Sequence, residues 1–113
     1  MELYEELESL RKQLDASIRS LRKTGSEAAQ AEHDYKVLLA QECLKLRDEG
    51  MAVGMIGLVC YGIPSVALAR LKRDISDSVY TANKEAIAGI KLQMRIVEAQ
   101  IEREWSVAGK GDI

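Results

Sequence analysis

Phenylalanine is absent from this 113-residue chain, and proline and histidine occur once each. Four tyrosines and one tryptophan are the only aromatic residues. No segment alternates apolar and polar residues in the manner of a β-strand, and no Pro-rich linker divides the chain. What remains is rich in Ala, Leu, Glu, Lys and Arg, a composition typical of long helices and coiled coils. We therefore predict one all-α domain over residues 1–113.

The scarcity of histidine and cysteine limits the chemistry. His33, Cys43 and Cys60 are not clustered in the sequence, and they are too few for a zinc site with about four ligands. No Ser or Cys nucleophile stands at a recognisable spacing from His33. We therefore predict a protein that is not an enzyme and has no catalytic residues, no metal and no cofactor.

The charges are nearly balanced, with a formal net charge of −2. The chain begins "MELYEELESL", which is acidic where a signal peptide needs basic residues. We expect a cytoplasmic protein with reduced thiols. Neither nucleic acid nor a membrane is favoured as partner by the overall charge.

Residues 1–49 form the first predicted helical arm. Its apolar residues recur at steps of three and four, as in a coiled coil: Leu3, Leu7, Leu10, Leu14, Ile18, Leu21, Ala28, Ala31, Tyr35, Leu38, Leu39, Cys43 and Leu46. "TGSE" at 24–27 interrupts this arm. It predicts either a kink at 24–26 in a long hairpin or a sharp turn at Gly25 in a three-helix bundle. Gly50 is a residue that can end the arm in the left-handed conformation.

Residues 65–106 form the second predicted arm, followed by a flexible tail at 107–113. Its predicted core stripe is Leu68, Ile75, Val79, Ala86, Ile90, Met94, Val97, Ile101 and Trp105. Further apolar residues beside this stripe widen it to about half of the helix circumference, more than one partner helix covers. We therefore predict an antiparallel, coiled-coil-like hairpin that self-associates as a dimer or a higher oligomeric bundle.

Folding the chain at its midpoint near Gly57 predicts which residues face each other. In this register Tyr35 faces Tyr80, and Trp105 closes the open end of the bundle. The small residues of "GSEAAQA" (25–31) then lie opposite "AIAG" (86–89), which would allow close approach at Gly25.

Residues 51–69 are uncharged, and we consider three interpretations of this run. It is long enough for a membrane span, as in a holin-like protein, but it contains three glycines and Pro64. It loosely imitates a helix-turn-helix, in which Ser65, Arg70, Lys72 and Arg73 would contact nucleic acid. The interpretation we favour is an apolar helical tip over 50–64 that joins the two arms and is buried.

Candidate ligand residues lie on the second arm. Asn83 interrupts the apolar stripe, where a polar residue most often specifies register or oligomer number. A binding site built from Tyr80, Asn83, Lys91 and Arg95 is the sharper hypothesis, because the two bases could hold a phosphorylated, nucleotide-type molecule.

From Tyr35 onward the chain resembles a group of small helical proteins encoded in phages and prophages of Firmicutes-type bacteria. The segments that carry the resemblance are "DYKVLLAQECLKLRDEG" (34–50), "GIPSVALARLKRDI" (62–75), "YTANKEAI" (80–87) and "KLQMRIVEAQIEREW" (91–105). The resemblance implies a setting in the cytoplasm of a bacterial host. By analogy it implies a phage accessory protein that acts by binding, either antagonising a host defence factor or sequestering a nucleotide signal.

Overall fold

A computed structural model describes residues 2–111, and these residues form three α-helices without a strand among them. They are α1 (Glu2–Asp48), α2 (Val53–Cys60) and α3 (Pro64–Gly111). The prediction of an all-α hairpin is confirmed. The flexible tail predicted at 107–113 is wrong as far as Gly111, because α3 continues to that residue. Residues 112–113 lie outside the described part.

α1 is one continuous helix of 47 residues, so the chain makes no sharp turn at 24–26. The three-helix alternative with a sharp turn at Gly25 is therefore wrong. A glycine inside a helix costs about 1 kcal/mol relative to alanine, which packing along the helix readily outweighs. Acidic residues occupy the first turn of α1 and basic residues its last turn, as the helix dipole favours.

The first arm ends at Gly50, as predicted. Gly50 has a φ of +89°, and its N–H donates to the carbonyl of Arg47. The N–H of Met51 donates to the carbonyl of Leu46, and the two bonds together form a Schellman motif. α2 follows directly, and Pro64 begins α3 at the first helical position, where its missing N–H costs nothing.

The chain divides into two compact units, each containing a part of α1 and a part of α3. The turn unit is Lys23–Thr81, and the termini unit comprises the chain through Arg22 together with the residues from Ala82 onward. In both units the two helices run antiparallel. Cys43 contacts Cys60 and Arg73 stacks on Tyr35 in the turn unit, whereas Asn83 bonds to Ser17 in the termini unit.

The buried seam follows a heptad spacing more strictly than the apolar residues do. Residues of low exposure alternate at steps of four and three on both helices, which is the pattern of a two-stranded coiled coil. On α1 they are Leu3, Leu7, Leu10, Leu14, Ser17 and Leu21 in the termini unit, and Thr24, Ala28, Ala31, Tyr35 and Leu38 in the turn unit. On α3 they are Val66, Ala69, Arg73, Ser76 and Tyr80 in the turn unit, and Asn83, Ile87, Ile90, Met94, Val97 and Ile101 in the termini unit.

The predicted stripe on the second arm is therefore wrong in its first half. Leu68, Ile75 and Val79 are exposed, whereas the seam there holds Arg73, Ser76 and Tyr80. On α1, Ser17 occupies the seam position assigned to Ile18, which is exposed. Polar residues take these seam positions because the heptad spacing continues through them from both ends.

The predicted register was also wrong. Tyr80 contacts Gly25, ten residues before the expected partner Tyr35. The chain reverses at the Schellman turn instead of near Gly57, so α2 already belongs to the returning arm. The close approach at Gly25 is to an aromatic ring, not to Gly89.

Replacement of Gly25 by leucine is expected to destabilise the protein by about 1–3 kcal/mol through overpacking. A Cβ atom at Gly25 would lie 3.0 Å from Cε1 of Tyr80 and 3.3 Å from its Cζ. Urea unfolding followed by circular dichroism measures the change. Gly89→Leu is the matched control, since no atom lies within 4 Å of its added Cβ. That variant should gain up to about 1 kcal/mol from helix propensity. Equal effects at both glycines would contradict the contact with Tyr80.

Candidate functional site

The most distinctive surface of the turn unit is an apolar stripe on α3, which we call the outer face: Leu68, Leu71, Ile75 and Val79. Their exposed fractions are 67%, 55%, 55% and 49%. The spacing of three, four and four residues aligns them along one side of the helix. Because successive helical residues rotate by about 100°, Leu68, Leu71 and Ile75 lie opposite the seam residues Val66 and Arg73, whereas Val79 lies at the edge of this side. In this unit the outer face of α3 is thus more apolar than its seam, which includes Arg73 and Ser76.

The surface of α1 in the same unit is different. Its exposed positions from Gln30 to Gln41 are mostly polar, but Val37 among them is 42% exposed, and Leu44 further along α1 is 57% exposed. Lys36 pairs with Glu32 at 3.2 Å, an ordinary solvated i, i+4 pair. In the turn unit, α3 therefore exposes a longer apolar stripe than α1 does.

α2 extends the exposed apolar surface of the turn unit. Val53 and Leu58 are 81% and 76% exposed, and only Cys60 of this helix is buried. The expectation that the apolar tip is buried is therefore wrong for the single chain. The reason is that an eight-residue helix between glycine-containing turns can press only one of its sides against α1.

A helix that spans a membrane needs about 20 mostly apolar residues. Among the described residues, no single helix is both long and apolar enough to cross a bilayer. α2 and α3 together reach the required length and hydropathy, but they are bent by 59° at the break between them.

Arg73 occupies a seam position and is held by three groups. Its guanidinium lies 4.4 Å from the centre of the Tyr35 ring. Its Nη2 donates to Asp74 Oδ1 at 2.8 Å and its Nε at 3.0 Å, and Glu32 lies 3.7 Å from Nε. The hydrogen bonds to Asp74 are the main cause of a raised pKa at Arg73. The cluster therefore holds a permanent cation over a buried aromatic ring.

This arrangement bears on the nucleic-acid hypothesis. Arg73 faces α1 and its charge is matched by carboxylates, while Arg70 lies over the Tyr61 ring at 5.9 Å. Lys72 is exposed and lines a shallow groove with Glu27 and Asp34. The exposed Ser65 lies in the first turn of α3. The four predicted residues do not form one basic surface. Acidic side chains lie beside both Lys72 and Arg73, which makes a contact with phosphate less favourable.

The four residues of the predicted ligand site are also dispersed. Tyr80 belongs to the seam of the turn unit and packs its ring on Gly25. In the termini unit, Asn83 is part-buried, whereas Lys91 and Arg95 are exposed. At 1.5 Å per residue, Lys91 and Arg95 are about 12 and 18 Å along α3 from Asn83. The groove near Asn83 contains none of the four: its lining residues are Gln13, Ala16, Ser17, Ala86, Gly89, Ile90 and Gln93.

Asn83 instead has the structural role considered for it. Its Nδ2 donates to the carbonyl oxygen of Ser17 at 2.9 Å, across the seam of the termini unit. Such a bond favours this alignment of the two helices, because a slip by one heptad would replace Ser17 opposite the amide by the larger Leu10 or Thr24.

Replacement of Asn83 by leucine is expected to raise the free energy of unfolding by about 1 kcal/mol. The bond lost is worth about that much, but a leucine would pack against a seam lined by Leu14 and Leu21, and the Ser17 carbonyl keeps its bond within α1. Thermal unfolding and native mass spectrometry measure stability and subunit number together. Asn83→Ala is the control and should be less stable than wild type. A loss of stability in the leucine variant would show that the amide does more than set the register.

At the ends of the chain, Trp105 does not close the bundle as predicted. It is 75% exposed and lines an open cavity of about 480 Å³ in the termini unit. The other lining residues are Glu2, Leu3, Tyr4, Ile101, Glu104 and Ala108. The error in the predicted register explains this difference. Leu3 and Tyr4 lie beside Trp105, where the predicted register would have placed Leu10.

One pair of neighbouring thiols was not predicted from the sequence. Cys43 and Cys60, which are not clustered in the sequence, lie with their Sγ atoms 3.2 Å apart in the turn unit. Placing the reversal at Gly50 instead of Gly57 would have brought them together. Elsewhere within residues 2–111, no three His, Cys, Asp or Glu side chains are grouped as metal ligands would be.

Comparison with protein families, with characterised proteins and with solved structures found no match to this chain.

Proposed function

We propose that this protein acts by binding, without catalysis, and that its working form is a self-associated helical bundle. The single observation that carries the proposal is the outer face of α3. Four large apolar side chains at helix-packing spacing are 49–67% exposed on a side of α3 turned away from the seam. Full burial of a Leu, Ile or Val side chain contributes about 1.5–3 kcal/mol. A face of this kind favours a protein partner over solvent.

A second copy is the partner that this face fits most simply. A straight stripe on one helix is self-complementary, because a two-fold axis can lay it against the same stripe of another copy. The result would be a bundle in which the α3 helices pack inside and the polar sides of α1 remain in water. This arrangement would cover the wide apolar arc that a single hairpin leaves exposed.

For the biological target, the resemblance to phage and prophage proteins supports a host factor. We propose that the assembled bundle antagonises a host defence protein or sequesters a nucleotide-type signal in the bacterial cytoplasm. The dispersion of Lys91 and Arg95 from Asn83 favours a protein target over a small nucleotide.

Native mass spectrometry of the wild-type protein over a dilution series tests self-association. We expect a dimer or a higher oligomer at micromolar concentration. A monomer across the series would overturn the proposed assembly. Chemical cross-linking in bacteria that produce the protein, followed by mass spectrometry, would then identify any host protein on the same face.

The competing function is membrane association through α2 and the first turns of α3, which the exposed Val53 and Leu58 favour. Flotation with phosphatidylglycerol vesicles discriminates the two. Binding to vesicles by a protein that stays monomeric in buffer would support the membrane alternative. An oligomer that remains in the aqueous fraction would support the bundle.

A further inference from the structure

Two thiols from different helices meet at the turn end of the molecule. Cys43 lies on α1, and Cys60 is the last residue of α2. Their Sγ atoms are 3.2 Å apart, so an approach of about 1 Å would bring them to the length of a disulfide bond. We propose that Cys43 and Cys60 form a reversible disulfide site that covalently ties α2 to α1.

The two thiols differ in access. Cys43 is partly exposed, whereas Cys60 is fully buried and its Sγ also lies 3.8 Å from the carbonyl oxygen of Leu39. A dissolved oxidant therefore reaches Cys43 first. Cys60 is placed as the resolving thiol, because Cys43 is its nearest sulfur.

Burial raises the pKa of the Cys60 thiol to about 11, with smaller contributions from Cys43 and Glu42 of α1. At neutral pH Cys60 is therefore protonated, and its reactive thiolate is a small fraction. As long as the pH is below the pKa, the thiolate fraction of Cys60 grows about tenfold for each unit by which the pH rises. Closure of the disulfide should accelerate with rising pH accordingly.

The reaction balances with a low-molecular-weight disulfide as oxidant. The Cys43 thiolate attacks one sulfur of glutathione disulfide, forming a mixed disulfide and releasing one glutathione thiolate. The Cys60 thiolate then attacks the Cys43 sulfur, forming the Cys43–Cys60 bond and releasing the second glutathione. The protons of the two cysteine thiols end on the two glutathiones. The protein loses two electrons, and the oxidant gains them.

The bond would restrain the least anchored helix of the turn unit. α2 has one buried residue, Cys60, and the disulfide would close a loop that contains the Schellman turn and almost all of α2. A loop of this length, about 16 residues, gives substantial stabilisation in the chain-entropy account. We expect the melting temperature to rise by about 10 °C on oxidation. The orientation of the exposed Val53 and Leu58 would be restrained at the same time.

The test is incubation of the reduced wild-type protein with glutathione disulfide at pH 7 and pH 9, followed by acid quenching and peptide mapping by mass spectrometry. We expect a mixed disulfide at Cys43 first, then an intrachain Cys43–Cys60 bond. The bond should form at least tenfold faster at pH 9, and dithiothreitol should reverse it. The melting temperature is measured before and after oxidation.

Single variants serve as controls. Cys60→Ala should stop at the mixed disulfide on Cys43, and Cys43→Ser should react slowly and form no intrachain bond. Mixed disulfides alone in the wild type, or only intermolecular bonds, would overturn the proposal. So would an intrachain bond that leaves the melting temperature unchanged. These readouts do not depend on self-association, so the disulfide site and the proposed function can fail separately.

Discussion

Replacing Leu71 and Ile75 together by glutamate is expected to convert the proposed assembly into monomers. Each side chain is 55% exposed in the single chain, and glutamate is a good helix former, so the hairpin itself should fold normally. In the assembly, however, each substitution would remove apolar burial and place a charge in a dry interface, and both occur once per subunit. We expect self-association to weaken by a factor of 100 or more.

Sedimentation equilibrium measures this loss, and circular dichroism checks that helix content is unchanged. The matched control is Ala40→Glu with Gln41→Glu, which adds the same charge at two exposed positions of α1 in the turn unit. This control should associate like the wild type. If the outer-face variant keeps the wild-type subunit number, the interface lies elsewhere, and the exposed residues of α2 would be the next surface to change.

Replacing Tyr35 by alanine is expected to lower the free energy of unfolding by about 3–4 kcal/mol, the largest stability effect among these predictions. Tyr35 is 5% exposed, and its ring carries the guanidinium of Arg73. The substitution removes a buried aromatic side chain and leaves the cation in the seam without the ring that it stacks on. The hydrogen bonds to Asp74 and the ion pair with Glu32 would then have to hold the guanidinium.

Two further variants separate the causes. Tyr35→Phe keeps the ring, and we expect it to cost less than about 1 kcal/mol. Tyr35→Leu keeps apolar volume but loses the aromatic face, so its cost should lie between those of the other two. Urea unfolding of all three variants gives the comparison. If leucine is tolerated as well as phenylalanine, the stacking of Arg73 contributes nothing measurable.

Several local features could be predicted from the sequence because their physical causes are local. Gly50 ends α1, since the left-handed position there strongly favours glycine. Pro64 begins α3, where a missing N–H is harmless. The short apolar helix α2 lies within the tip predicted over 50–64. The all-α class followed from the repeated three- and four-residue spacing over both arms.

The register could not be predicted, because it depends on where the chain reverses and on how many residues each turn uses. The register predicted from a midpoint at Gly57 assumes that the whole apolar segment is shared equally between the two arms. The chain instead reverses at the Schellman motif, so α2 belongs to the returning arm. This shift moves Tyr80 from Tyr35 to Gly25 and brings Cys43 to Cys60. Because the register was not predicted, the proximity of Cys43 and Cys60 could not be predicted from the sequence either.

Hydrophobicity alone also did not predict which side of α3 is buried against α1. Between Val66 and Asn83 the helix has two sides that compete for the core, and the outer face is the more apolar of them. The heptad spacing of the buried residues continues through this segment and selects the side that faces α1. Arg73 and Ser76 therefore lie in the seam, and Leu68 and Ile75 are exposed.

By itself, then, the sequence determined the all-α class, the end of the first arm at Gly50 and the amphipathic character of both arms, since these follow from spacing and glycine conformation along the chain. Only the tertiary structure decided which thiols meet, which ring carries the arginine, and which apolar stripe is left for a partner. Each of these depends on the alignment of residues far apart in sequence, and a single turn sets that alignment for both arms.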